Sequence, residues 1–146
     1  MKVRRAVAAD FAAATTLLEE LGRAKVTPET REECERVYAA QLADPESAPL
    51  VGEDAEGQVV AFCTLHFRPR LNHPTPDAWI PDLIVTERSR RRGAARALLE
   101  MAERLARERG CWALTLESGY RREEAHQLYE AFGMRAMGKY FAKGLG

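Results

Sequence analysis

The residues from Val85 to Leu99 are the ones best suited to chemistry: an apolar strand feeds an arginine-dense turn of small residues, Arg90-Arg91-Arg92-Gly93-Ala94-Ala95, which opens a long amphipathic helix. Such a turn lets the backbone come close to a ligand. The first N–H groups of the following helix have no intrahelical partners, so a phosphate can satisfy them. An ordinary strand-to-helix connection with solvated arginines would use the same residues. Other groups able to do chemistry lie on either side. Asp82 and Glu117 fall on or beside apolar strands, His66 shares a strand face with Phe62 and Thr64, and Tyr129 shares a helical stripe with Ala125, Leu128 and Phe132, where a core role is equally open. His73 reads as a loop residue and His126 as a helix-surface residue. Cys34, Cys63 and Cys111 are odd in number and widely spaced, without the Cys-x-x-Cys or Cys/His clustering that zinc requires. They read as reduced packing residues, and no metal is expected.

The elements that must position these groups alternate along the chain without a linker. Lys2 to Val7 reads as a strand. Asp10 then caps a helix whose Phe11, Ala14, Leu18 and Leu21 recur at helical spacing. Thr27-Pro28, an N-cap followed by proline at the first helical position, starts a second helix that stops near Asp44-Pro45. Leu50 to Glu53 and Val59 to Arg68 form a hairpin about Asp54-Ala55-Glu56-Gly57, with Val59, Ala61, Cys63, Leu65 and Phe67 alternating onto one apolar face. Pro69 to Asp77, with three prolines, is a loop. The strand Ile80 to Val85 leads into the arginine turn and a helix from Gly93 to about Arg109, whose inward stripe is Leu98, Met101, Ala102 and Leu105. A strand at Trp112 to Leu116, a helix near Arg121 to Phe132 and a last strand around Met134 to Lys143 complete the order.

At 146 residues the chain suits a single domain with a sizeable core. Its formal charge is zero but unevenly spread: twelve acidic residues face four basic ones between Asp10 and Glu56, and eight arginines face three glutamates between Arg88 and Arg109. An anionic ligand near the second region and a cationic one near the first are favoured, unless these are simply solvated helix faces. No apolar run approaches the ~20 residues of a membrane span, and no signal-peptide core follows Met1. The expectation is a cytoplasmic protein without membrane association. Nucleic acid is an unfavoured partner, because no aromatic residue is interleaved with the arginines for base stacking.

Two spaced motifs carry a resemblance. Arg90-x-x-Gly93-x-Ala95, after a strand and before a helix, resembles the phosphate-binding loop of the GCN5-related N-acetyltransferase (GNAT) superfamily, and Ala125, Tyr129, Gly133 and Met134 resemble its second signature. The likeness extends over residues 80 to 143 and more loosely over the whole chain. It implies an α/β fold, a single N-acetyltransferase domain over residues 1–146 with a mixed central sheet and flanking helices, ordered strand, two helices, three strands, helix, strand, helix, strand.

The resemblance also implies an activity: an acetyl group moves from acetyl-CoA to a primary amine by direct attack. The acceptor would be a small cationic amine, as for family members acting on aminoglycosides, or a peptide or protein amino group, and a homodimer is compatible with it. Backbone groups of Leu83, Ile84 and Val85 would hold the pantetheine arm in a wedge between splayed strands, and those from Arg90 through Arg91, Arg92, Gly93 and Ala94 to Ala95 would hold the pyrophosphate. Pro81 marks either the bend that opens the wedge or a strand that starts late. Arg91 stands where glycine is frequent, so a backbone without positive φ is expected there. Tyr129 takes the place of the general acid, and Asp82 falls near the position of a catalytic carboxylate. A slip of one residue would turn Asp82 to the opposite sheet face. Glu117 and His66 are the other candidates for the base. The alternative function is a catalytically inactive CoA-binding sensor or interaction module.

Overall fold

The computed structural model describes residues 1–119 and 122–146, which form two compact units, Met1–Leu116 and Glu117–Gly146. In the first unit, β1 (Lys2–Arg5), α1 (Phe11–Leu21), α2 (Arg31–Ala43), β2 (Leu50–Glu53), β3 (Val59–Cys63), β4 (His66–Arg68), β5 (Asp77–Ile80), β6 (Leu83–Val85), α3 (Ala94–Glu108) and β7 (Leu114–Leu116) follow in order. Helix α4 (Glu123–Ala131) belongs to the second. The expected start of α4 at Arg121 lies outside the described residues. No helix among the described residues is long and apolar enough to cross a membrane.

The strands of the first unit make two sheets. One runs β1-β2-β3-β6, all antiparallel, and the other runs β4-β5-β7, with β5 and β7 parallel. Each of the two long central strands expected from the sequence is therefore divided between sheets. The hairpin strand breaks at Thr64-Leu65, so Val59 to Arg68 is not one alternating ribbon. Nor is one face alone apolar: Val60, Ala61, Phe62 and Cys63 are all buried. Val51, Phe62 and Ile84 pack with Ala14 and Leu17 of α1 and Tyr38 of α2. Helix α3, whose Leu98, Leu99 and Ala102 are fully buried, packs against β1, β2, β3 and β6 without joining that cluster. A sheet covered on both faces reads as a continuous apolar run.

Local chemistry sets the ends of the elements. Helix α1 closes at Gly22, which takes φ +104° while its N–H and that of Arg23 return to Glu19 and Leu18 carbonyls. Asp10 does not cap α1 as expected. Its carboxylate turns back to accept two hydrogen bonds from Arg4 (2.8 and 3.0 Å) and one from the Val7 N–H (2.8 Å). The Arg4 guanidinium holds this carboxyl below the usual range against the opposing effect of burial. Thr27 to Thr30 form a hydrogen-bonded turn ahead of α2, whose regular span starts at Arg31, and the helix ends before Asp44-Pro45 as expected. Residues 134–146 contain no strand. The alternation from Met134 to Lys143 has no ladder partner, and Met137, Tyr140 and Phe141 are exposed. An alternating pattern without a neighbouring strand does not make a sheet.

Candidate active site

Pro81 and Asp82 separate β5 from β6. Up to Ile80 the chain is paired on both sides: His66 and Thr115 flank Trp79, and Leu116 stands opposite Ile80. Beyond Pro81 it is paired on one side only, with Leu83, Ile84 and Val85 opposite Cys63, Phe62 and Ala61. Strand thus lies on both sides of Pro81, which marks a bend and not a late start. The Thr86 N–H donates to Val60 and the Asp82 carbonyl accepts from Thr64, so by antiparallel alternation the Ile84 backbone also faces β3. The N–H and C=O groups of Leu83 and Val85 face the opposite edge, with which no strand among the described residues pairs.

The turn after β6 is built from charge and unusual backbone. The Arg90 Nε donates to the outward Val85 carbonyl (3.0 Å), and its Nη2 lies 3.7 Å from Glu20 of α1. Glu20 also accepts the Glu87 N–H (2.8 Å), tying the end of α1 to this turn. Arg91 corrects the expectation of an ordinary backbone: its φ is +64°, the left-handed region in which a glycine would be unstrained. An arginine in that conformation carries about 1–2 kcal/mol of local strain. Gly93 follows at φ +83° and starts α3, accepting the Ala97 N–H at 2.9 Å. The N–H groups of Ala94 and Ala95 precede that first helical hydrogen bond. They form the positive end of a helix fifteen residues long.

Asp82 sits at the break itself. Its Oδ1 accepts the Arg23 Nε at 2.7 Å, while a second Arg23 nitrogen donates to the Pro81 carbonyl at 3.1 Å. Its Oδ2 accepts the Thr64 hydroxyl at 3.1 Å, and the same hydroxyl accepts the Asp82 N–H at 3.1 Å. Thr64 therefore holds the carboxylate in one orientation. Asp77, at the start of β5, is fully buried and takes a two-pronged hydrogen bond from Arg68 (3.0 and 2.9 Å), whose guanidinium covers the Trp79 ring at 4.6 Å. His66 packs its half-buried ring 5.8 Å from that of Trp79 instead of continuing the β3 face. Burial pushes its imidazole below the ordinary histidine value, while Asp44 and Asp82 pull it back up.

The expected site residues thus divide between the units. Asp82, Leu83 to Val85 and Arg90 to Ala95 follow one another around the Pro81 bend in the first. Tyr129 belongs to the second, where it is buried on α4; its carbonyl accepts the Met134 N–H (2.9 Å) as Gly133, at φ +98°, closes the helix. The glycine of the second motif has this purpose. Glu117 is exposed, and His73 stacks on Trp112 at 4.1 Å. Cys63 is fully buried, and burial drives its thiol well above the usual value, leaving it inert. Sequence reasoning missed Arg23, Thr64 and Glu20. The Arg23–Asp82 contact spans 59 positions, for which no local pattern exists.

Comparison with known proteins follows the same lines. Residues 14–134 match the acetyltransferase (GNAT) family. The chain is 37% identical over 62 residues to YhdJ, an uncharacterised N-acetyltransferase of Bacillus subtilis (strain 168); the match covers 42% of this chain and 44% of YhdJ, less than half of that relative's length. Its fold superimposes on a protein of Agrobacterium tumefaciens str. C58 named as a putative acetyltransferase, with TM-score 0.85, 26% identity and 99% of both chains covered. Glucosamine-6-phosphate N-acetyltransferase from Arabidopsis thaliana shares the fold at TM-score 0.84 and 21% identity, over 99% of this chain and 98% of its own. The match over residues 14–134 spans most of the chain, and the chain belongs to the acetyltransferase (GNAT) family.

Proposed function

We propose that residues 1–146 act as one N-acetyltransferase domain that moves an acetyl group from acetyl-CoA to a primary amine by direct attack. The observation that carries this reading is the open edge of β6, followed after a single 3-10 turn at Glu87–Ser89 by the Gly93 turn. That edge offers the N–H and C=O of Leu83 and the N–H of Val85 to an amide-bearing arm. The turn offers the N–H groups before Ala97 to a pyrophosphate, where charge-assisted contacts from nearby arginines add to the helix end. The residues present therefore fit acetyl-CoA, which supplies the acetyl group as an activated thioester.

The chain's own groups do the rest. A backbone N–H at the start of β6 polarises the thioester carbonyl, in a site where fixed dipoles need no reorganisation. Asp82 removes the amine proton, directly or through one water. As the C–N bond forms and the C–S bond breaks, the leaving thiolate needs a proton, a role that the motif of Ala125, Tyr129, Gly133 and Met134 gives to the hydroxyl of Tyr129. The acceptor is a small cationic amine or a peptide amino group; the acidic segment from Asp10 to Glu56 supports a cation, and the shared fold of an enzyme named for an amino sugar phosphate supports a small one.

The alternative, a CoA-binding module without chemistry, draws support from Asp82, both of whose oxygens are already hydrogen-bonded. Acetyl-CoA consumption against a panel of amines and peptides, measured for the natural protein and Tyr129→Phe, tests both. Turnover that falls about 10²- to 10⁴-fold in the variant with cofactor affinity kept is the expected result. Binding without turnover in the natural protein would leave the module. Normal turnover in Tyr129→Phe with a lower melting temperature would make the tyrosine a packing residue, costing about 1 kcal/mol for its hydrogen bond.

A further inference from the structure

We propose that Arg23 is a built-in stand-in for the cationic acceptor, resting on the carboxylate that receives the substrate ammonium and leaving it when the amine arrives. The inference rests on the reading of Asp82 as the acceptor-side carboxylate and adds how that group is guarded. Three observations carry it.

The first is the different fixing of the two partners. Thr64 locks the Asp82 backbone and one carboxylate oxygen through three hydrogen bonds, so the carboxylate keeps its aim whether or not Arg23 is there. Its other oxygen points at Arg23. The Asp82 side chain is 18% exposed and that of Arg23 55% exposed, so the cation is the partner in contact with water.

The second is the segment that carries Arg23. It follows the left-handed Gly22 that ends α1, and residues 23–27 have no regular structure. The Arg23 N–H stays on the Leu18 carbonyl that closes α1, and the exposed side chain can swing the guanidinium off Asp82 and the Pro81 carbonyl by rotating about its own bonds, without breaking a helix or a ladder. By contrast, Arg68 on Asp77 comes from within β4 and is held against Trp79.

The third is position. Asp82 is adjacent to Leu83, the first residue whose N–H faces the open edge. An ammonium that took the place of Arg23 on Oδ1 would stand beside that edge, and Asp82 could both bind it and accept its proton. Arg23, whose guanidinium does not lose its proton in proteins, holds the place of an ammonium without reacting.

The test titrates 1,4-diaminobutane, and separately the uncharged 1,4-butanediol, into the CoA-loaded protein by calorimetry. Arg23→Met keeps the stem and removes the cation, at a surface position where folding should be little changed. It is expected to bind the diamine about fivefold more tightly than the natural protein, the upper range of what an exposed ion pair is worth, with butanediol unaffected. Arg23→Lys should stay close to the natural protein. Adding Asp82→Asn to Arg23→Met should abolish the gain. Equal diamine affinity in the natural protein and Arg23→Met overturns the proposal, as does a gain that survives Asp82→Asn. Failure of the acetyl-transfer reading has a separate sign: the binding gain appears, but no amine is acetylated.

Discussion

Two carboxylates five positions apart, Asp77 at the start of β5 and Asp82 just before β6, are each matched to an arginine and have opposite characters. Asp77 begins a strand with partners on both edges, is 1% exposed, and is gripped by two nitrogens of an arginine that is itself clamped on an aromatic ring. Asp82 stands just before a strand paired on one edge, and its arginine reaches it from an irregular connection and is half in water. The first pair closes a sheet, and the second sits at the mouth of an opening. An arginine–carboxylate contact alone does not set the two apart. The backbone pairing on either side of it and the rigidity of the cation's support do, and they are why Asp82 and not Asp77 is the proposed acceptor-side carboxylate.

Exchanging the same atom at the two sites gives the sharpest contrast. Asp82→Asn keeps the shape and the Thr64 hydrogen bond but removes the basic oxygen, so turnover should fall about 10²- to 10⁴-fold while the thermal melt stays near that of the natural protein. Asp77→Asn should do the reverse, lowering stability by about 2 kcal/mol, because a buried partner of Arg68 is lost, with the exposed side of the pair discounted. Rates and melts on the same preparations decide. If both substitutions chiefly lower stability, the distinction between the two carboxylates collapses.

Smaller changes probe the turn beyond β6. Gly93→Val meets no neighbouring atom within 4 Å, so its effect comes from forcing a β-branched residue to φ +83° and from placing methyl groups where a pyrophosphate would approach. CoA affinity should drop by about tenfold or more, for a strain of 1–2 kcal/mol. Calorimetric titration showing unchanged affinity in a folded variant would remove the turn from the site. Arg91→Gly should have the smallest effect, raising the melting midpoint through relief of its left-handed backbone by about 0.5–1 kcal/mol, partly offset by the greater freedom of glycine in the unfolded chain. A lower midpoint would mean that side-chain contacts of Arg91 outweigh its strain.

The parts of the fold legible in the sequence were those written locally. Helix α3 is announced by Gly93 at its start and by Leu98, Ala102 and Leu105 at helical spacing, and the end of α2 by Asp44-Pro45. The turn of small residues that opens α3 was legible for the same reason. What was missed depends on distant partners. Asp77 to Ile80 is a strand because it lies between His66–Arg68 and Leu114–Leu116, and the prolines just before it hid the start. Met134 to Lys143 has the alternation of a strand and no partner. Residue type alone does not give the left-handed backbone of Arg91, since an arginine ordinarily avoids it. Of the candidate site, Asp82 could be named from the sequence but its company could not, since Thr64 and Arg23 reach it across 18 and 59 positions.

An unpaired strand edge is a hazard, since it can recruit a strand from another molecule and seed aggregation. The edge of β6 escapes this by being short and interrupted. It offers three residues, begins just after a proline, and its last outward carbonyl is already taken by Arg90. A foreign strand would find too few rungs to hold, yet a ligand with a single amide needs no more. The bend that leaves this edge unpaired is also what makes it a poor template for a second chain.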